Sequence, residues 1–162
     1  MNENKIFSRQ LDIVKPSELD FPIWVIGAGG IGSWTTLALA KMGCPNLTVI
    51  DFDLVEEHNV PSQIYTPDQL KQPKVLALKD LVKQLTGTEI IPVQQKFQDW
   101  YQHENTPAVI ICAVDSLETR KEIWKLMTTN FPIKFDLFID CRMGGELLRI
   151  LTASPLNVYT LN

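Results

Sequence analysis

Short apolar runs alternate along the chain with longer segments of helical periodicity. The runs at 23–26, 47–52 and 108–114 have the length and apolar character of strands buried on both faces of a parallel sheet. Residues 31–42 are rich in Leu and Ala, and the apolar positions of 68–85 recur at spacings of three and four, so both predict helices. This order predicts an α/β fold, a doubly wound, Rossmann-like, mostly parallel sheet with helices on both faces.

The weaker patterns complete this outline. They predict a polar loop over 53–67, strands over 89–97 and 137–141, and a helix over 116–127 that is capped by Ser116. An antiparallel strand is predicted over 146–153, after a Gly-Gly turn. We therefore expect an N-terminal arm, residues 1–20, followed by a single domain, residues 21–162, because a chain of this length suggests one domain.

The first predicted strand leads into a Gly27-x-Gly29-x-x-Gly32 turn, to which Gly30 adds a further glycine. Gly27 suits a tight strand-to-helix turn, Gly29 lets backbone N–H groups approach a phosphate, and Gly32 allows close packing of helix on strand. Asp51 follows Gly32 by 19 residues, at the end of a strand, where a carboxylate can accept hydrogen bonds from ribose hydroxyls. This combination predicts a nucleotide site; the alternative is a tight turn that binds nothing.

Composition excludes several classes of function. Hydrophobic residues make up 45% of the chain, the net charge is −4, and no long basic run is present, so a nucleic-acid surface is not expected. No apolar stretch reaches the roughly 18 residues that a membrane span requires. The polar N-terminus lacks the apolar core of a signal peptide. We therefore expect a cytoplasmic protein without a membrane partner.

A dehydrogenase with this glycine turn would need only the first acid, Asp51, in this region, but further polar residues follow it. Beside the glycine turn, the residues that stand out are Arg9, Asp53, Asn59, Gln63, Lys74, Asp115, Arg120 and Arg142. As a set, from Arg9 to about Leu151, these residues resemble the ubiquitin-activating-enzyme-like superfamily, whose bacterial members include the ThiF, MoeB and HesA adenylyltransferases. At 162 residues the chain resembles a short variant of them. The resemblance implies that ATP is bound and that AMP is attached to the C-terminal carboxylate of a ubiquitin-like or sulfur-carrier protein, one ending in Gly-Gly.

The resemblance also assigns roles to individual residues. It makes Asp51 the ribose ligand, Lys74 a phosphate contact and Asp115 the carboxylate associated with Mg²⁺. Arg9 matches an arginine that reaches the ATP of the other subunit, which implies a homodimer. The implied catalytic residues are Arg9, Lys74 and Asp115, and the implied nucleotide-binding residues are Gly27, Gly29, Gly30, Gly32, Asp51, Asp53, Asn59 and Gln63.

Elementary chemistry agrees with these roles. Adenylation is an in-line attack by a carboxylate on the α-phosphorus, and charge builds up on the phosphate oxygens. Such a reaction needs preorganised cations more than it needs a base. Arg9, Lys74 and Mg²⁺ at Asp115 would supply that positive charge.

Two positions depart from the family pattern. Ser62 stands where the family's Asn-Leu-x-Arg-Gln motif has Arg, and a neutral hydroxyl does not replace a bidentate cation at a phosphate. Ser116 stands where the magnesium motif has Asn, which is a milder change. One alternative is therefore a nucleotide-binding but non-catalytic subunit. An NAD-dependent oxidoreductase is a further alternative, although the chain leaves little room for a separate substrate domain.

The remaining candidates have structural interpretations beside functional ones. Arg120 suits a structural ion pair as well as a site, and Arg142 suits contact with a phosphate or with the carrier's carboxylate. His58 and His103 are expected to be loop histidines. The three cysteines, Cys44, Cys112 and Cys141, form no CxxC pair. We expect buried thiols at Cys112 and Cys141, and none of the three is assigned to a thioester step.

Overall fold

The computed structural model describes residues 3–101, 106–130 and 134–154. In these residues the chain forms a six-stranded sheet. The strands are β1 Ile23–Ile26, β2 Leu47–Ile50, β3 Ile91–Val93, β4 Val109–Cys112, β5 Leu137–Gly144 and β6 Leu147–Ala153. Their spatial order is β3-β2-β1-β4-β5-β6, with β1 to β5 parallel and β6 antiparallel to β5. The predicted Rossmann-like sheet and its antiparallel addition are confirmed.

Helices cover both faces of this sheet. They are α1 Glu3–Ile6, α2 Gly32–Met42, α3 Lys74–Thr86, α4 Phe97–Trp100 and α5 Leu117–Lys125, the last continued by a π-helical turn, Leu126–Asn130. Val25 and Val49 point into the core beneath α2 and α3, whereas Trp24 and Ile110 point into the core beneath α4 and α5. The alternation follows from the period of two in a strand, which sends successive side chains to opposite faces.

Two predicted boundaries were wrong. The helix expected over 68–85 begins only at Lys74, after a 3₁₀ turn at Pro67–Gln69, a left-handed residue at Lys71 (φ 67°) and Pro73. Those backbone conformations cannot belong to one helix, although the apolar spacing suggested it.

The strand expected over 89–97 shrinks to β3 for a different reason. Phe97 starts the short helix α4 and packs with Trp100 against Trp24, with ring centroids 6.1 Å and 4.7 Å from Trp24. Burial of aromatic surface therefore outweighs the local strand pattern.

The N-terminal residues lie against the body of the sheet. Gln10 Nε2 donates a hydrogen bond to Met42 O at 2.7 Å, and Leu19 and Phe21 pack on the core beneath α2 and α3. Within the described ranges, no helix is both long and apolar enough to cross a bilayer.

Candidate functional site

A cleft of about 1040 Å³ opens at the carboxyl ends of the parallel strands. The chain passes from β1 to β2 and β3 on one side and then returns to β4 on the other side of β1. The cleft therefore lies at a topological switch point, the usual ligand position of open α/β sheets. All of the catalytic and nucleotide-binding residues expected from the sequence line it, apart from Gly32 and Arg9. The fold therefore brings together residues that are spread over 89 positions of sequence, from Gly27 to Asp115.

The glycine turn has one closed side and one open side. Gly27 has a φ of 97°, and a Cβ there would lie 2.9 Å from the backbone of Ala113. A Cβ on Gly32 would lie 1.8 Å from Gly27 O, so Gly32 is required for the helix to start beside the strand. A Cβ on Gly29 would meet nothing within 4 Å. The turn thus leaves room for a ligand directly above Gly29.

Asp51 ties the glycine turn to the end of β2. Its Oδ2 accepts a hydrogen bond from Ala28 N at 2.6 Å, and its Oδ1 accepts one from Asp53 N at 2.8 Å. Burial raises the pKa of the Asp51 carboxyl, while these two hydrogen bonds act in the opposite direction. Each oxygen keeps a further lone pair, so Asp51 can still accept a hydroxyl from a ligand.

Tyr65, which the sequence analysis did not identify, also holds the glycine turn in place. Its hydroxyl donates to Ala28 O at 2.7 Å, and burial raises the pKa of that hydroxyl above its usual range. Ala28 is therefore held at both its N–H and its C=O. No local pattern marks Tyr65, since it lies in the loop predicted over 53–67.

Lys74 is buried and already paired. It is the first residue of α3, its side chain is 8% exposed, and its Nζ lies 2.9 Å from Asp53 Oδ2. The backbone N–H of Lys74 also donates to Asp53 O at 2.9 Å. Asp53 thus neutralises the cation that the sequence assigned to phosphate, and it holds the start of α3 in place.

The loop between β2 and α3 presents two amides. Asn59 Oδ1 accepts from Glu56 N at 2.9 Å, so Nδ2 is the donor left on that buried side chain. Gln63 also lines the cleft, and its buried Oε1 has no hydrogen-bond partner among the residues described. A buried acceptor without a donor costs about 1–3 kcal/mol, and a ligand N–H or O–H would remove that cost.

Asp115 follows β4 and lies exposed in the cleft. Ser116 caps α5 as predicted, its hydroxyl accepting a hydrogen bond from Thr119 N at 3.2 Å. The described residues contain no group of three or more side chains suited to hold a metal ion. A single carboxylate fits Mg²⁺ that arrives with a nucleotide, because such ions are usually held by one or two carboxylates plus the phosphates.

Arg120 lines the cleft, and its two terminal nitrogens already donate to acceptors of the protein. Its guanidinium contacts Asp140 Oδ1, Cys112 O and Val114 O, and the side chain is buried. Asp140 Oδ2 also accepts from Arg142 Nε at 2.8 Å. Of the two interpretations of Arg120, the structure favours the structural ion pair, which ties α5 to the ends of β4 and β5.

Two further cations, which the sequence analysis did not identify, also line the cleft. Lys96 Nζ lies 5.4 Å from the centroid of the Phe52 ring, and Arg149 extends from β6. Arg149 is the charged residue of β6, whose other residues are apolar apart from Thr152, and this contrast could have indicated it. Nothing in the sequence around Lys96 distinguishes it from a surface lysine.

Arg9 lies outside the cleft. It is exposed on its own chain and does not line the cleft, so contact with this site would require a second subunit. His58 is exposed and its Nδ1 lies 3.2 Å from Glu56 Oε2, whereas His103 lies outside the described residues.

All three cysteines are buried, as expected for Cys112 and Cys141. Burial raises the pKa of the thiols of Cys44 and Cys141, and it raises the pKa of Cys112 to about 11. None of the three therefore offers a reactive thiolate to the cleft.

The sequence of this chain is similar to those of several characterised enzymes. The NEDD8-activating enzyme E1 catalytic subunit of Arabidopsis thaliana is 36% identical over 107 residues, which are 62% of this chain and 23% of the relative. The tRNA threonylcarbamoyladenosine dehydratase 2 of Saccharomyces cerevisiae is 27% identical over 106 residues, 61% of this chain and 24% of the relative. The chain thus spans about a quarter of the length of these curated relatives.

Solved structures share the fold. The Escherichia coli tRNA N6-threonylcarbamoyladenosine dehydratase TcdA, in complex with ATP, superposes with a TM-score of 0.74 at 23% identity, covering 89% of this chain and 62% of TcdA. E. coli MccB with AMPCPP and MccA superposes with a TM-score of 0.75 at 15% identity, covering 95% of this chain and 50% of MccB. The model of the ThiF family matches residues 18–130, from before the glycine turn to beyond Arg120. The chain accordingly belongs to the ThiF family.

Proposed function

We propose that this chain binds ATP in the cleft and transfers AMP to a carboxylate of an acceptor polypeptide, with release of pyrophosphate. The main support for this proposal is the open space above Gly29. It faces the same cleft as the unpartnered Gln63 Oε1, the buried Lys74 and the exposed Asp115. An acyl-transfer or hydride-transfer site would not need this combination of open space above a glycine turn, a buried cation and an exposed carboxylate.

In this proposal the nucleotide lies across the ends of β1, β2 and β4. Asp51 accepts hydrogen bonds from the ribose, and the phosphates lie over Gly29, at the N-terminus of α2, where unpaired N–H groups favour anions. Lys74 shares its charge between Asp53 and a phosphate oxygen. The Nδ2 of Asn59 donates to a phosphate without adding charge.

Asp115 is the residue that would hold Mg²⁺ beside the phosphates. The ion would neutralise charge on the phosphate oxygens as the carboxylate attacks and pyrophosphate leaves. The described residues supply no competing three-ligand site, and the exposed carboxylate of Asp115 has room for an ion that keeps several water ligands.

We propose a ubiquitin-like or sulfur-carrier protein as the acceptor, with a Gly-Gly C-terminus as the simplest form. The names of two relatives support a polypeptide acceptor: one is a NEDD8-activating enzyme subunit, and MccB was crystallised with MccA. A homodimer would bring Arg9 of one copy to the cleft of the other. Family membership gives the NAD-dependent oxidoreductase no support.

Ser62 favours one alternative, a subunit that binds nucleotide without turnover. It lines the cleft as an exposed residue, at the position that corresponds to the arginine of the Asn-Leu-x-Arg-Gln motif. On this alternative, Ser62→Arg should raise a trace activity severalfold, since it restores a cation near the phosphates. If activity is already full in the natural sequence, the alternative is wrong.

Pyrophosphate–ATP exchange tests the main proposal. With Mg²⁺ and a carrier protein ending in Gly-Gly, exchange should require both components and should fall about 100-fold or more in Lys74→Gln. Calorimetry with ATP and with AMP separates binding from turnover. Failure to bind either nucleotide would overturn the proposal, and binding without exchange would favour the non-catalytic alternative.

A further inference from the structure

The charges of the cleft are unevenly distributed. At the α3 end, Lys74 is paired with Asp53, and Asp51 adds a second acid. At the opposite end, near β5 and β6, the arginines outnumber the acid that partners them. Asp140 is shared between Arg120 and Arg142, and Arg149 has no ion pair within the described part of the chain. The two strands β5 and β6 therefore bring two arginines and one acid, Asp140, to this end of the cleft, whose lining also includes Asp115 and Glu122.

Arg142 and Arg149 face each other across the antiparallel ladder. The register pairs them directly, so both side chains leave the same face of the sheet, and both line the cleft. Directly opposed residues in such a ladder have Cβ atoms about 4.5–5.5 Å apart, and like charges there are destabilising. An anion between the two guanidinium groups would turn this repulsion into attraction.

The neighbours of the arginine pair suit a polypeptide better than a polyphosphate. On the same face of β6, Leu147 and Leu151 flank Arg149, with exposures of 63% and 44%. Gly144 is the register partner of Leu147 and leaves space beside it. Apolar flanks offer nothing to phosphates, whereas they can bury side chains of a bound peptide.

The position of the pair in the sheet points the same way. Three strand spacings, each about 4.8 Å, separate β2 with Asp51 from β5 with Arg142. An AMP unit with its ribose at Asp51 and its phosphate above Gly29 would leave the arginine end for the second substrate. Arg142 is held there by Asp140, which reduces the entropy lost on binding.

We propose that Arg142 and Arg149 form a binding site for the C-terminal carboxylate of the acceptor polypeptide. The inference rests on the proposed function, in that the carboxylate is the group to be activated. A planar carboxylate matches the fork of a guanidinium, and two arginines can hold it while leaving one oxygen lone pair free to attack the α-phosphorus.

Binding measurements with Arg149→Gln test this site. The probes are a short synthetic peptide ending in Gly-Gly with a free carboxylate, the same peptide as a C-terminal amide, ATP, and AMP. Arg149 is exposed and unpaired in the described structure, so the variant should fold. Lys41→Gln, at an exposed cation of α2 outside the cleft, is the matched control. With AMP present, the natural protein should bind the free acid about 10-fold more tightly than the amide.

Arg149→Gln should abolish that preference while leaving AMP and ATP affinities unchanged, and Arg149→Lys should retain part of it. Weaker binding of ATP alone in Arg149→Gln would show that the pair holds the β- and γ-phosphates, which overturns the carboxylate assignment. Equal binding of acid and amide by the natural protein also overturns it. If the peptide acid binds preferentially but neither nucleotide binds, the arginine site stands and the adenylation proposal fails.

Discussion

Lys74 Nζ lies 2.9 Å from Asp53 Oδ2, and this ion pair joins the start of α3 to the loop that leaves β2. The lysine is buried, whereas the carboxylate is about half exposed. Any phosphate that reaches Lys74 must share the ammonium with Asp53 or displace it. The same carboxylate that stabilises the ligand-free protein therefore competes with the ligand.

Asp53→Asn should separate these two effects. Removing the counter-charge of a buried ammonium should cost about 1–3 kcal/mol, which lowers Tm by several degrees in a chain of this size. Added ATP should raise Tm more in the variant than in the natural protein, because a phosphate replaces the missing carboxylate. Thermal unfolding with and without ATP measures both changes.

Glu57→Gln is the control, since Glu57 is an exposed acid of the same loop that does not line the cleft. It should change neither Tm nor the ATP response. An ATP-induced shift that is smaller in Asp53→Asn than in the natural protein would contradict competition at Lys74 and would make Asp53 itself a ligand contact.

The glycine turn predicts opposite effects at two of its positions. Gly29→Ala should leave Tm nearly unchanged, because its Cβ meets nothing within 4 Å, but should weaken ATP binding about 10-fold or more by filling the space above the turn. Gly32→Ala should unfold or strongly destabilise the protein, because its Cβ would lie 1.8 Å from Gly27 O.

Gly30→Ala compares a methyl group at the next position of the turn, which also lines the cleft. Its Cβ would contact Ser62 O at 3.7 Å rather than fill the open space above Gly29. It should keep both Tm and ATP affinity closer to the natural values. Unchanged ATP affinity in Gly29→Ala would mean that the phosphates bind elsewhere.

Asp115→Asn should affect the metal rather than the fold. The side chain is exposed, so Tm should stay within about 1 °C of the natural value, as is usual for surface substitutions. Pyrophosphate–ATP exchange should fall about 100-fold or more, and the Mg²⁺ concentration for half-maximal exchange should rise. A Mg²⁺ titration of exchange measures this, and an unchanged midpoint would show that the ion is held by other groups.

Much of the architecture was accessible from sequence because buried parallel strands are nearly continuous apolar runs. The runs that became β1, β2 and β4 and the Leu- and Ala-rich segment that became α2 are examples. The start of α3 was misplaced because the apolar spacing of 68–85 was stronger than the signal of Pro73, and nothing local indicated a left-handed Lys71. The short helix α4 depends on packing against Trp24, which is distant in sequence.

The site was predictable as a set of residues but not as a set of contacts. Family motifs selected Asp51, Asn59 and Lys74, and all three line the cleft. The pairing of Lys74 with Asp53 was not predicted, because an ion pair across a loop leaves no periodic trace. Arg149 was missed because its partner, Arg142, is defined by the register of a hairpin.

Arg120 should prove to be a structural residue. Arg120→Met would leave Cys112 O, Val114 O and one oxygen of Asp140 without their donor, at a cost of about 3 kcal/mol. ATP affinity should change little at temperatures where the variant is folded. Denaturant unfolding and calorimetry on the same sample provide the two readings. A stable variant with ATP affinity reduced 10-fold would instead return Arg120 to the list of ligand contacts.

The thiols should be protected until the protein unfolds. Cys112 has a pKa of about 11 because it is buried, so about one thiol in a thousand is ionised at pH 8, and access is blocked as well. Ellman's reagent should react with none of the three cysteines in the native protein and with all three in denaturant. Since the folded thiol holds its proton more tightly than the unfolded one, stability should fall as pH rises from the unfolded pKa, near 8.5, toward 11. A rapidly reacting thiol at pH 7.5 in the folded protein would contradict this and would identify a candidate for a thioester step.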